Sequence, residues 1–152
     1  LVFKHPGIVD KYIGDGFLAF FGAPVSSVAD PDNALQAALE MKRSLADMNL
    51  LLSRELGPTI EMGISVHTGE VVAGNIGFEK KMDYTVIGDA VNTVFRLQGL
   101  AKAFPNGILI SDATLRSVRS RPAVNPVSAP AWCRADLGEL KVYELLELDK
   151  PA

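Results

Sequence analysis

The stretch from Ile8 to Gly22, IVDKYIGDGFLAFFG, constrains the fold more than any other part of the chain. Residues 8–13 and 17–21 are short runs of apolar, aromatic and β-branched side chains, joined by Gly14-Asp15-Gly16. An Asp-Gly signal between two such runs predicts a tight β-hairpin, because glycine supplies the positive φ that the reversal needs. A hairpin needs the glycines but has no need of a carboxylate at its tip or an ammonium at Lys11. Asp15 and Lys11 therefore set one charge of each sign beside an apolar sheet. Taken alone, both read as solvated turn residues.

The rest of the composition bounds what that hairpin can belong to. A chain of 152 residues is the size of one domain and can bury a core of its own. The net charge of −3 and the lack of any Lys/Arg block argue against a nucleic-acid surface. Cys133 is the one cysteine, which excludes an internal disulfide and a cysteine-rich zinc site and makes a reducing, cytoplasmic compartment the expectation. No apolar run approaches the roughly 18 residues of a membrane span, so no membrane segment is expected in this chain, although it could be the cytoplasmic part of a larger tethered protein. Leu1-Val2-Phe3-Lys4 reads as the tail of a helix, which suggests a fragment of a longer polypeptide.

Beyond the hairpin, Asp30-Pro31 opens a helix running to about Glu55, with Leu35, Ala38, Leu39, Leu45, Met48 and Leu52 at helical spacing. Residues 60–66 read as a strand, 67–70 as a turn and 71–76 as its partner strand. Residues 78–82 (FEKKM) read as a charged loop and 83–87 as another strand. Gly88-Asp89 opens a second helix to about residue 103. A strand at 108–111 precedes a short helix capped by Asp112. Residues 119–136, with Pro122, Pro126 and Pro130, read as an extended loop, and 140–146 as a final strand. This order predicts an α+β fold, a ferredoxin-like antiparallel sheet with helices packed on one face, lacking its N-terminal strand and crossover helix.

Most chemical signatures are missing: no Walker phosphate loop, no GxGxxG after a strand, no HExxH and no G-x-S-x-G. His5 and His67 stand apart, without metal-ligand spacing, and read as structural or surface residues. What remains is DYTVIGDAVNTVFR, in which Asn92 and Arg96 lie four apart and share one helix face. An exposed Asn–Arg face on an otherwise apolar helix reads either as a surface pair beside a neighbouring acid or as a site for a phosphate.

The blocks KYIGDGFLAFFGAP, GISVHTGEVVAGNIG and MDYTVIGDAVNTVFRL, with the weaker LGELKVYEL, resemble in order and spacing the catalytic domain of class III nucleotidyl cyclases. The resemblance implies a bacterial-type homodimeric adenylate cyclase, a phosphorus–oxygen lyase that turns ATP into 3′,5′-cyclic AMP and pyrophosphate. It implies active sites at the interface of a head-to-tail dimer with a second copy of the chain, and an upstream regulatory domain. Asp15 matches the second of two metal-binding aspartates, Lys11 and Thr85 match the purine-reading pair, and Asn92 and Arg96 match the transition-state pair. Two Mg²⁺ or Mn²⁺ ions are implied for the complete domain, lowering the pKa of the ribose 3′-hydroxyl and clamping the phosphates.

Two departures accompany the resemblance. The family's first metal aspartate precedes the hairpin and has no counterpart here, and Arg134-Ala135-Asp136-Leu137-Gly138 stands where a triphosphate-binding lysine is usual, leaving Arg134 as its substitute. The alternatives are a catalytically incomplete nucleotide-binding or regulatory cyclase-like domain, a guanylate cyclase, and a diguanylate cyclase of the GGDEF kind. The tip of the last would read Gly-Gly-Asp/Glu-Glu-Phe instead of Ile-Gly-Asp-Gly-Phe.

Overall fold

The computed structural model describes residues 1–55 and 57–149. The expected hairpin forms from β1 (Gly7–Ile13) and β2 (Gly16–Phe21), paired antiparallel from Gly7↔Phe21 to Ile13↔Gly16. Its loop is Gly14-Asp15, with the positive φ of 59° at Gly14, so the glycine that makes the turn precedes the aspartate. The register slips between Val9 and Lys11 and leaves Asp10 without a partner on β2.

Helix α1 spans Asp30–Glu55, as its periodicity predicts. Its first half is buried through Leu35, Ala38 and Leu39, but its second half leaves the sheet, so Met48 is exposed instead of packed. Strand β3 is only Ile64–Val66, shorter than the expected 60–66. Side chains satisfy the preceding backbone instead. Asn49 both donates to Ile60 O and accepts from Ile60 N at 2.8 Å, and Asn106 Oδ1 accepts from Met62 N at 2.8 Å. Backbone bonded in this way has no call on a ladder.

The partner expected for that strand pairs elsewhere. β4 (Val72–Phe78) pairs with β5 (Lys81–Ile87) along its whole length, and the expected charged loop shrinks to the turn Glu79-Lys80. Gly77 makes the tight return possible, since a Cβ there would collide with Lys81 O. β5 leads directly into α2 (Asp89–Ala101). After β6 (Ile108–Ser111), the short α3 (Asp112–Ser117) is capped by the Ser111 side chain, which accepts from Thr114 N, and not by Asp112. The expected loop at 119–136 contains β7 (Pro122–Val127) and α4 (Arg134–Leu137), and β8 (Val142–Leu148) ends the fold. β7 tolerates its prolines because it is the edge strand of the sheet β3-β6-β8-β7.

The α+β class is as expected, with β3 and β6 parallel and the other pairs antiparallel. Ile108, Leu109 and Ile110 of β6 are all fully buried. Ile108 and Ile110 pack with Leu145 against Leu35, Ala38 and Leu39 of α1, while Leu109 packs with Val142 against Leu97 and Leu100 of α2 and Leu137 of α4. Successive strand residues point to opposite faces, so helices cover both faces of β6 where one helical face was expected. Among the described residues, β2 pairs only with β1 and β3 only with β6, which leaves one edge of each open. No helix among them is long and apolar enough to cross a membrane.

Asp32, in the first turn of α1, accepts from the amides of Arg119 (2.9 Å) and Ser120 (3.0 Å) and so ties the helix to the approach of β7. Burial raises its pKa, but those hydrogen bonds outweigh it and hold the carboxyl below the usual aspartate value. A depressed carboxyl contributes stability that is complete above the unfolded value of about 3.9 and is lost as pH falls through the folded one. Asp32→Ala should therefore lower the melting temperature at neutral pH, and the gap to wild type should narrow as falling pH protonates the folded carboxyl. A gap that stays constant across the acid range in thermal unfolding would contradict this tethering role.

Candidate functional site

The bulge at Asp10 organises the site. In a regular strand Asp10 and Lys11 would face opposite sides, whereas a bulge turns consecutive side chains toward one another's space. The Asp10 side chain is only 2% exposed, and its Oδ2 lies 3.8 Å from Lys11 Nζ. The same oxygen accepts a hydrogen bond from Thr85 Oγ1 of β5 at 2.8 Å. Two residues from strands far apart in the chain thus meet at one carboxylate. Beside them, the rings of Phe20 and Tyr84 lie 6.1 Å apart and pack β2 against β5. Lys11 keeps 52% of its side chain exposed, so its ammonium remains open to a ligand.

Helix α2 begins where β5 ends. Leu97 and Leu100 of its second half are buried, while Asn92 and Arg96, one turn apart, are exposed. Among the described residues, neither makes a side-chain hydrogen bond or an ion pair. An outward amide and guanidinium without partners can meet an anion at low desolvation cost. Asp15 is exposed at the hairpin tip, and no hydrogen bond or ion pair joins it to Asn92 or Arg96. The structure therefore unites Lys11 with Thr85, sets Asn92 beside Arg96, and leaves Asp15 apart from both pairs. Arg134 is held by its own loop, its Nε donating to Ala129 O at 3.0 Å.

Residues 8–130 match the family described as the adenylate and guanylate cyclase catalytic domain. The chain belongs to this family. The cyclase domain is 40% identical to an adenylate cyclase of Anabaena cylindrica over 116 residues, covering 74% of this chain and 22% of that protein. It is 45% identical to an uncharacterised protein of Mycobacterium tuberculosis over 112 residues, 74% of this chain and 18% of the relative. The chain thus spans about a fifth of the length of these curated relatives. Among solved structures, the guanylyl cyclase Cya2 superposes with a TM-score of 0.79 at 31% identity, covering 99% of this chain and 75% of that one. The adenylyl cyclase CyaB from P. aeruginosa shares the fold, with a TM-score of 0.77 at 24% identity over 96% of this chain and 74% of its own.

Class III cyclases generally use divalent metal ions. The described residues of this cyclase domain do not by themselves fit two divalent metal ions. Asp15 is a lone exposed carboxylate, Asp10 is engaged by Lys11 and Thr85, and no group of three His, Cys, Asp or Glu side chains comes together among them. The histidines have other roles. His5 Nε2 lies 3.1 Å from Glu40 Oε1, and His67 Nδ1 lies 2.7 Å from Ser111 Oγ, with burial lowering the His67 pKa. Asp10 was missed by the sequence reading, although an acid next to Lys11 inside an apolar strand is the signal that could have found it.

Proposed function

We propose that this cyclase domain converts ATP to 3′,5′-cyclic AMP and pyrophosphate, in a site shared by two copies of the chain set head to tail. The observation that carries the reading is the meeting of Lys11 and Thr85 at Asp10. Adenine presents an acceptor at N1 and a donor at N6, which an ammonium and a hydroxyl acceptor complement. Guanine presents the reverse pattern, and buried polar groups left unpaired discriminate strongly. Arg96 would face the charge that develops on the α-phosphate, and Asn92 would hold the ribose with its 3′-hydroxyl in line. Thr85 and the Asn92–Arg96 face belong to one continuous segment, because β5 runs straight into α2. In this reading they act with Lys11 from one copy, while Asp15 comes from the other as a metal ligand.

Binding of Mg²⁺ or Mn²⁺ in this reading would need carboxylates besides Asp15. We take residues 1–152 as a single catalytic domain in a cytoplasmic setting. The curated relatives are longer than the segment matched here, which leaves room for the upstream regulatory domain of this reading. The apolar side chains left outward on β4, β5 and α2 favour a second copy as the partner. Val72 is 71% and Phe78 88% exposed, with Met82, Ile87 and Phe95 also outward. A second reading, a nucleotide-binding or regulatory module without turnover, is favoured by the lone carboxylate of Asp15.

Arg96→Ala in the full-length protein should cut turnover at least about 10²-fold while ATP affinity changes little, as for loss of an oxyanion donor. Steady-state kinetics with a parallel nucleotide-binding titration reads both, and equal losses in the two would favour the module without turnover. Phe78→Asp should convert dimer to monomer in sedimentation and abolish cyclisation together. A dimer that survives with full activity would remove this face from the interface.

A further inference from the structure

We infer that Asp10 is a positioning residue that sets the choice of purine by committing the Thr85 hydroxyl to act as an acceptor. The inference rests on the reading of Lys11 and Thr85 as the base-reading pair. A threonine hydroxyl carries one hydrogen and two lone pairs, so on its own it can serve either purine. It can accept from the N6 amine of adenine, or rotate and donate to O6 of guanine. In this chain that rotation is blocked. Thr85 Oγ1 donates its hydrogen to Asp10 Oδ2 at 2.8 Å, and the lone pairs are what it has left to offer a base. The carboxylate that takes the hydrogen is 2% exposed, and its other neighbour is the Lys11 ammonium at 3.8 Å. One buried acid therefore holds a donor for N1 and an acceptor for N6 side by side, the pattern of adenine.

The backbone supports a role for Asp10 outside the hairpin itself. Asp10 is the residue that the β1–β2 register skips, so its place in the strand contributes no cross-strand pair. A carboxylate buried in an apolar strand is costly unless it is hydrogen-bonded and paired with a charge. Its two partners are the two residues matched to the purine, and no hydrogen bond ties its side chain to β2.

The test is made on full-length protein with 3′-deoxy-ATP and 3′-deoxy-GTP, which lack the attacking hydroxyl and report binding without turnover. Dissociation constants for both are measured in wild type, Asp10→Asn, Asp10→Ala, Thr85→Val and Asp10→Asn/Thr85→Val. The Asn amide can donate to Thr85 Oγ1 and release its hydrogen toward the base, and Ala leaves the hydroxyl free to turn. Because a disturbed bulge would weaken both nucleotides alike, the preference between them is read instead of either affinity. Asp10→Asn, Asp10→Ala and Thr85→Val should each narrow the preference for the adenine nucleotide by about tenfold or more, and the double variant should narrow it no further than Thr85→Val. If Thr85→Val narrows the preference while both Asp10 variants weaken the two nucleotides equally, Asp10 is only a brace between strands and the inference falls alone. If Thr85→Val leaves the preference unchanged, the base-reading pair itself falls and takes the inference with it.

Discussion

The hydrogen bond from Thr85 to the buried carboxylate of Asp10 is the contact on which the arrangement of the site depends. β1–β2 and β4–β5 are separate two-stranded sheets, and no backbone ladder joins them. Two-stranded ribbons are marginal alone and need packing to hold a fixed orientation. Here the carboxylate, with the Phe20–Tyr84 ring contact beside it, brings a residue of one ribbon within reach of a residue of the other. Without it, Lys11 and Thr85 would share no side-chain partner.

The second constraint comes from the core. β6 is apolar at Ile108, Leu109 and Ile110 and buried on both faces, so α2 must lay its Leu97–Leu100 side against it. That fixes which residues of α2 turn outward, and Asn92 and Arg96 are among them. Packing thus aims a guanidinium and an amide away from the domain's own interior. Apolar side chains also stay exposed on β4, β5 and α2, and β5 passes into α2 through the single residue Gly88. The exposed polar and apolar side chains together are the surface that the proposed second copy would cover.

The parts of the fold set by local periodicity were legible in the sequence. The first hairpin, α1 and β6 lie within a residue of where alternation, helical spacing and caps put them. The misreadings have non-local causes. β3 is short because Asn49 and Asn106, distant in sequence, bond its leading backbone. β4 turned to β5 instead of β3, a choice between two neighbours that adjacency alone cannot decide. β7 was hidden by prolines that only an edge position permits. At the candidate site, motif resemblance singles out Lys11, Thr85, Asn92 and Arg96, whereas Asp10 shows only as an acid beside Lys11 that strict alternation would send to the opposite side of the strand. A bulge has no alternation signature, and the structure was needed to reveal it.

The central claim is that one site draws Asp15 from one copy and Arg96 from the other, and mixing inactive variants tests it most directly. Asp15→Ala and Arg96→Ala are each prepared as full-length protein, dissociated, mixed in equal amounts and assayed for cyclisation of ATP. Half of randomly paired dimers are mixed and each of these retains one intact site, so the mixture should recover about a quarter of wild-type turnover. Lys11→Ala mixed with Arg96→Ala should recover none, because both residues serve from the same copy. A first mixture that forms mixed dimers and stays inactive would contradict the shared site.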